Sequence, residues 1–452
     1  VIMIKRSWIL SLGCAVLVFL GVVVWSPARG QVQLTPTVAD ARVASARVAN
    51  AIAAMEEEWS GEYAEYWGLD LGDVDVQVEE IAAKLTELQQ ATGQKGAVLW
   101  LMSKPDALNL ALTTPDTLAV SQDITAANAN ALTQTMREFQ RDVAQPRNLD
   151  SDRYLGPASR LYDWMIAPIA DVLRQDKIDL LLICGGNGLR SFPFAALYDQ
   201  ANQQFLVEQF SLAQIPAFNL LDISAHRLDQ ATVLAMGASE FQEQAPLPGV
   251  ETELANIPSR WRDRAFLNGD FTQQRLRRER RACNCDIVHL ATHADFNAGT
   301  PEDSYIQFFR DRLELDDIDR FSWDDPPVEL VVLSACETAA GNAEAELGFA
   351  GLIVKSGARS ALASLWYISD LGTVGVMGEF YHALQTAPTK AVALQQAQLA
   401  MMRGNVAIAD HQLKTRAGAI DLDPLILAQT RDGQTFTHPF YWAAYTLIGN
   451  AW

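Results

Sequence analysis

Two short apolar runs in the second half of this 452-residue chain each end in a side chain suited to nucleophilic chemistry. Ile287-Val288-His289-Leu290-Ala291-Thr292-His293 finishes in a histidine, and Val331-Val332-Leu333-Ser334-Ala335-Cys336 finishes in a cysteine. A thiol attacks a carbonyl carbon as thiolate, and an adjacent imidazole supplies that form by taking the proton or by pairing with the anion as imidazolium. Cys336 and His293 fit these two parts, nucleophile and general base. Read alone, a cysteine after an apolar strand is a buried small hydrophobe. Thr338 and Gly341 point the other way, because they suggest a turn after the strand, and a turn exposes the side chain at its lip. His289, inside its apolar run, reads as a satisfied core histidine. A zinc pair of His289 with His293 is disfavoured, since strand residues four apart lie about 13 Å from each other and the zincin glutamate is missing. Cys283 and Cys285 form a lone C-x-C, a weak metal signal without a second pair. No nucleophile-elbow serine occurs, and Gly185-Gly186-Asn187-Gly188 lacks the Lys-Ser/Thr of a phosphate-binding loop.

The elements that must position these residues alternate along the chain. After an Ala-rich stretch whose Val43, Ala46, Val48, Ile52 and Met55 fall at helical spacing, Gly93-Gln94-Lys95-Gly96 punctuates the sequence and an α/β region follows. Residues 97–101, 108–112 and 180–184 read as strands, and 127–143 and 162–173 as helices. Mostly polar residues from Ser224 to Gln230 make a boundary. Beyond it, strands are expected at 232–236, 286–291, 330–334, 360–365 and 442–448, with helices at 250–257, 271–281, 347–356 and 371–384. Such alternation argues a parallel sheet covered on both faces, with ligands beyond the carboxyl ends of the strands. His293 and Cys336 both fall at such ends. No self-similarity at the roughly 34-residue period of tetratricopeptide repeats is present.

Hydrophobic residues make up 49% and charged residues 20% of the chain, ordinary globular usage. A formal net charge of −20, with no Lys/Arg stripe interleaved with aromatics, argues against a nucleic-acid partner and weakly favours basic ones. Lys5 and Arg6 precede an apolar run over residues 8–25, then Ser26-Pro27-Ala28-Arg29-Gly30 and a polar Gln31. This reads as an export signal or, since the run just reaches bilayer length, an uncleaved anchor. The expected location is therefore periplasmic or extracellular, or attached to a membrane by residues 8–25 alone. Five cysteines imply no disulfide framework.

Longer stretches carry a resemblance. Gly188-Leu189-Arg190-Ser191-Phe192-Pro193-Phe194-Ala195-Ala196-Leu197, Val288-His289-Leu290-Ala291-Thr292-His293 and Leu333-Ser334-Ala335-Cys336-Glu337-Thr338 come first. Glu346-Leu347-Gly348-Phe349-Ala350-Gly351-Leu352, Ala363-Ser364-Leu365-Trp366, Gln396-Ala397-Gln398 and His438-Pro439-Phe440-Tyr441-Trp442 follow in order. From about residue 95 onward the chain resembles the CHAT family of caspase-like, clan CD cysteine peptidases. The resemblance implies a caspase-like, mainly parallel sheet flanked by helices, with His293 and Cys336 as catalytic dyad and no cofactor or metal. It also implies an oxyanion held by the backbone N–H groups of Cys336 and Ala294, the latter where the family often has glycine. The implied partner is a protein or peptide substrate. Ser364, Trp366 and Asp370 are similar to the piece that lines the first specificity pocket in related clan members. There Asp370 would accept Arg or Lys; it also reads as the N-cap of the helix it precedes. The expected domains are a signal or anchor at 1–30, a helical region at 31–94 offering a surface to a protein partner, a first α/β half at 95–230 and a catalytic half at 231–452. A non-catalytic, partner-binding scaffold on the same fold is the competing expectation.

Overall fold

The computed structural model describes residues 38–70, 77–117, 119–257, 261–321, 323–338 and 342–452. The expected signal or anchor lies outside them, and among the described residues no helix is long and apolar enough to cross a membrane. The described helices of eight or more residues are α1 (Val38–Trp67), α2 (Val78–Thr92), α3 (Ala129–Val143), α4 (Leu155–Met165), α5 (Gly249–Asn256), α6 (Gln273–Ala282), α7 (Ala343–Ala350), α8 (Asp370–Leu384) and α9 (Lys390–Met402). One large sheet is built from β1 (Gly96–Ser103), β2 (Leu108–Thr113), β3 (Val120–Ile124), β4 (Leu180–Gly185), β5 (Ser211–Ile215), β6 (Val233–Gly237) and β7 (Arg262–Leu267). It is completed by β8 (Ile287–Phe296), β9 (Tyr305–Gln307), β10 (Arg312–Glu314), β11 (Leu330–Thr338), β12 (Ser360–Ser364) and β13 (Tyr445–Gly449).

The spatial order is β10-β9-β8-β11-β12-β13-β5-β4-β1-β2-β3, with β6 beside β8 and β7 beside β6. The sheet is mixed, with seven of the twelve strand pairs among its described residues parallel and five antiparallel. Its interior pairs β6/β8/β11/β12 and β1/β4/β5 are parallel, whereas β1/β2/β3 and β8/β9/β10 are antiparallel. The short link from Ser103 to Leu108 leaves no room for the crossover of a dozen residues that a parallel return needs. The expected division near residue 230 does not interrupt this sheet, because β13 pairs antiparallel with β12 of the second half and parallel with β5 of the first.

Both faces are covered, as near-continuous apolar strands require. Ile287, Ala291, Leu330 and Val332 share a core with Val250 and Leu254 of α5 and Leu371 and Val374 of α8. Val288, Leu290, Ala294, Phe296, Val331 and Leu333 face Phe271, Leu276 of α6 and Phe349 of α7. Two expected helices are broken, and each break has a residue behind it. Pro168 falls in a 3₁₀ turn, Ala167–Ile169, between α4 and a short helix, Ala170–Gln175. At Gly351, between α7 and Leu352–Ser356, the Trp67 indole fills the space that a Cβ would take. Trp442, expected in a strand, closes the turn Pro439–Trp442, whose Phe440 N–H donates to Nδ1 of the His438 ring at 3.1 Å.

The helical region before β1 packs into the same core: Ile52, Met55 and Trp59 of α1 and Ile81, Leu85 and Leu88 of α2 lie with β1 and β2. α1 is also pinned by one buried carboxylate. Glu56 accepts from Trp100 Nε1 at 2.6 Å and from the backbone N–H groups of Phe218 and Asn219 at 3.0 and 3.1 Å. Removing that carboxylate orphans three buried donors, so Glu56→Ala is expected to lower unfolding free energy by on the order of 3 kcal/mol, read from urea denaturation.

Candidate active site

β8 and β11 run on past their neighbours. β6 accompanies β8 only from Ile287 to Ala291, and β12 accompanies β11 only as far as Leu333, yet β8 and β11 stay paired to Phe296 opposite Thr338. The result is a tongue projecting beyond the parallel strands, and His293 and Cys336 both lie on it. In register His293 is opposite Ala335 and Ala294 is opposite Cys336, one step apart on adjacent strands. Thr338 belongs to the strand and not to the expected turn; residues 339–341, Gly341 included, lie outside the described residues. The one-step offset comes from a bulge, where Ala291 and Thr292 stand against Ser334 alone. Gly237, closing β6, permits this approach: a Cβ there would meet the Ala291 carbonyl oxygen at 2.5 Å.

His293 is half-buried, with Nε2 2.9 Å from the Ala245 carbonyl oxygen. A carbonyl only accepts, so Nε2 carries the hydrogen and the neutral ring keeps its lone pair on Nδ1, the nitrogen left to take a proton. The Phe241 ring packs on the imidazole with centroids 4.8 Å apart. Phe241 and Ala245 belong to the segment between β6 and α5, which carries no motif; its position after a strand's carboxyl end was the signal available. Beside it opens a cleft of about 410 Å³, lined among others by Phe241, Glu243, Gln244, Gln307, Arg310 and Arg312.

The same segment leads to Asp370. Asp370 is the first residue of α8, and the cap is Ser369, whose hydroxyl accepts from Gly372 N–H at 3.4 Å. The N-cap expected of Asp370 thus belongs to its neighbour. The Asp370 carboxylate instead accepts from the Gly249 N–H at the start of α5. Burial pushes its carboxyl up to about 6, opposed by that hydrogen bond and reinforced by the charge of Glu253. Tyr367, 45% exposed, stands at the same lip, its phenol raised to about 12 by burial and then by Asp370; sequence reasoning passed over it.

The other expected residues are placed differently. Ser364 ends β12 opposite Tyr445 and is 1% exposed, so it offers no surface to a ligand. Trp366 is half-buried and its indole N–H donates to the Phe440 carbonyl at 3.0 Å. Ala294 is buried with a strand on either edge, at Cys336 and at Ile306, which leaves its N–H less room than a loop glycine would have. Cys283 and Cys285 form a disulfide between α6 and β8, so neither thiolate is available to a metal.

A model of the CHAT domain matches residues 155–450. The chain belongs to the CHAT domain family. CHAT is a caspase-like, clan CD family, and the helix-flanked sheet agrees with that fold. The chain is 22% identical over 355 residues to tetratricopeptide repeat protein 28 of Mus musculus, covering 65% of this chain and 13% of that protein. It therefore spans only a small part of that relative's length. Two structures of the Saccharomyces cerevisiae separase–securin complex align with TM-scores of 0.48 and 0.44 at 8% and 9% identity. Each covers 83% of this chain, and 31% and 32% of the separase-complex chain respectively.

Several family stretches of this CHAT domain turn out to be joints. Glu346, buried on α7, accepts from Gly188 N–H at 2.8 Å and Ser191 Oγ at 3.3 Å, tying the loop after β4 to the helix that follows β11. Gln398 donates to the carbonyls of Trp442 and Tyr445. The approach of Asp370 to α5 depends on a missing side chain, since a Cβ on Gly249 would lie 2.7 Å from the Asp370 Cβ. Gly249→Ala is expected to push Asp370 outward, so that its carboxyl titrates lower than about 6 in a ¹³C NMR titration, with a stability loss of about 1–3 kcal/mol from overpacking.

Proposed function

We propose that this CHAT domain is a cysteine endopeptidase that hydrolyses peptide bonds through Cys336 and His293, after Arg or Lys. The observation that carries the reading is that β8 and β11, paired with each other, both run on past the strands beside them, so that His293 and Cys336 lie on the same projecting end. His293 Nδ1 takes the thiol proton, and the thiolate adds to the carbonyl carbon of the substrate. The resulting oxyanion is met by the backbone N–H of Cys336, where β11 has run on past β12, while Ala294, paired on both edges, is left out of that role. Collapse expels the amine, which leaves with the proton from Nδ1, and an acyl-thioester remains on Cys336. Water, giving a proton to Nδ1, attacks the thioester and releases the acid and the thiol. The Ala245 carbonyl suits each step because it stabilises the imidazolium through Nε2–H without competing for Nδ1. The half-buried Asp370 carboxylate would pair with a guanidinium or ammonium, and the cleft beside Phe241 is the room for a peptide partner.

A second reading, a non-catalytic module that docks proteins, is favoured by the relative named for tetratricopeptide repeats. A thiol-reactive peptide probe separates the two. The enzyme predicts labelling abolished by Cys336→Ala and cut by about 10²-fold or more in His293→Ala; labelling indifferent to His293 would sink the dyad. The pocket makes its own prediction. A carboxyl with its midpoint at about 6 is ionised above that pH, so cleavage after Arg, relative to a substrate with a neutral residue there, is full at pH above 6 and lost as pH falls through about 6. Asp370→Ala should remove that preference at every pH, measured as the ratio of kcat/KM for the two substrates.

A further inference from the structure

The bulge that offsets His293 from Cys336 is also where the tongue is least held. Between the pairs Leu290–Leu333 and His293–Ala335 the regular β8–β11 ladder lapses, and Ser334 falls in the gap. Its carbonyl accepts from Tyr445 Oη at 2.7 Å, and its hydroxyl donates to Glu253 Oε2 at 3.2 Å. The other oxygen of Glu253 lies 3.0 Å from Nε2 of His289, at ion-pair distance but bent out of hydrogen-bond alignment. Nδ1 of His289 is in turn 2.9 Å from Tyr381 Oη on α8. Burial holds the Tyr381 phenol well above its ordinary value, so its hydrogen is retained. His289 is 0%, Ser334 1% and Glu253 4% exposed. One carboxylate on α5 therefore touches both dyad-bearing strands, at Ser334 inside the break in their ladder and at His289, one residue before the last regular pair.

Stability alone does not explain a carboxylate here, because an apolar side chain of similar volume serves a core as well or better. We infer that Glu253 is a positioning residue: by bridging His289 and Ser334 it fixes the phase of β8 against β11 across the bulge, and with it the approach of His293 to Cys336. The inference rests on the dyad reading above and deepens it. Glu253 acts through the two strands and not on the substrate.

The test is the pH dependence of iodoacetamide alkylation at Cys336 in the full chain, followed by mass spectrometry of the Cys336 peptide. Wild type, Glu253→Leu and Glu253→Gln are compared. Leucine removes the bridge, so the alkylation midpoint is expected to rise by about one pH unit toward that of a free thiol, with about tenfold slower alkylation at neutral pH. Glutamine keeps a polar reach to both strands and is expected to stay near wild type. Superimposed curves for Glu253→Leu and wild type overturn the inference, as does a Gln variant displaced as far as the Leu variant, which would make charge and not bridging the cause. If Glu253→Leu does not fold, Ser334→Ala, which cuts the β11 side alone, is judged by the same criterion. A wild-type midpoint already at the free-thiol value and unmoved by His293→Ala defeats the dyad reading itself, an outcome distinct from either failure of the bridge.

Discussion

The pairing of β8 with β11 is the contact on which the rest of the candidate site depends. Backbone hydrogen bonds alone hold a pair of strands weakly, each contributing roughly 1 kcal/mol net. What fixes the register is burial on both faces. Val288, Leu290 and Leu333 lie in the core with Phe271 and Phe349, while His289 and Ser334 face the polar cluster of Glu253 and Tyr381. A slip of one residue would carry His289 into the apolar core and Leu290 onto a carboxylate, so register and side-chain chemistry enforce each other. The bulge is tolerated within that frame because neighbours meet the groups it frees. Ala238 N–H donates to the Ala291 carbonyl, and the Thr292 hydroxyl donates to the Gln307 carbonyl.

Around this pair the first half of the chain acts as a buttress. Glu346 joins α7 to the loop after β4, and Arg190 in that loop meets Glu62 of α1 and lies over the Tyr63 ring. Burial raises the Glu346 carboxyl, while the hydrogen bond from Gly188 and the Arg190 charge oppose that rise. Helix α1 thus reaches, through two carboxylates and one guanidinium, the helix that follows the cysteine-bearing strand.

The strands bearing His293 and Cys336 were legible in the sequence because each is a short apolar run bounded by polar residues, a signal that needs no partner to be read. Their full length was not. Ala294 to Phe296 and Glu337 to Thr338 remain extended only because the two strands pair with each other there, a contact between residues more than forty positions apart. The same limit hid Ala245, Phe241 and Glu253, whose roles come from what they touch and not from what precedes them. Polar residues within family stretches were ambiguous for the complementary reason. Gln398 and His438 are chemically capable, and only their burial and long-range partners mark them as structural, whereas the apolar run around His289 already marked it as a core histidine. The disulfide of Cys283 and Cys285 was hidden by its neighbourhood in sequence, where a C-x-C resembles a metal half-site.

β13 occupies an unusual place: it is the element inserted between β12 and β5, yet it comes from residues 445–449. Roughly 80 residues separate it from β12. At a synthesis rate of about 5–20 residues per second, the ribosome needs on the order of ten seconds to make them. Through that interval the nascent chain holds two part-sheets with open edges, at β12 and at β5, each a template for wrong pairing. The strands bearing the histidine and the cysteine exist before the sheet that braces them is closed. Their bracing therefore waits on a late segment, and the newborn chain has two exposed edges to protect until it arrives.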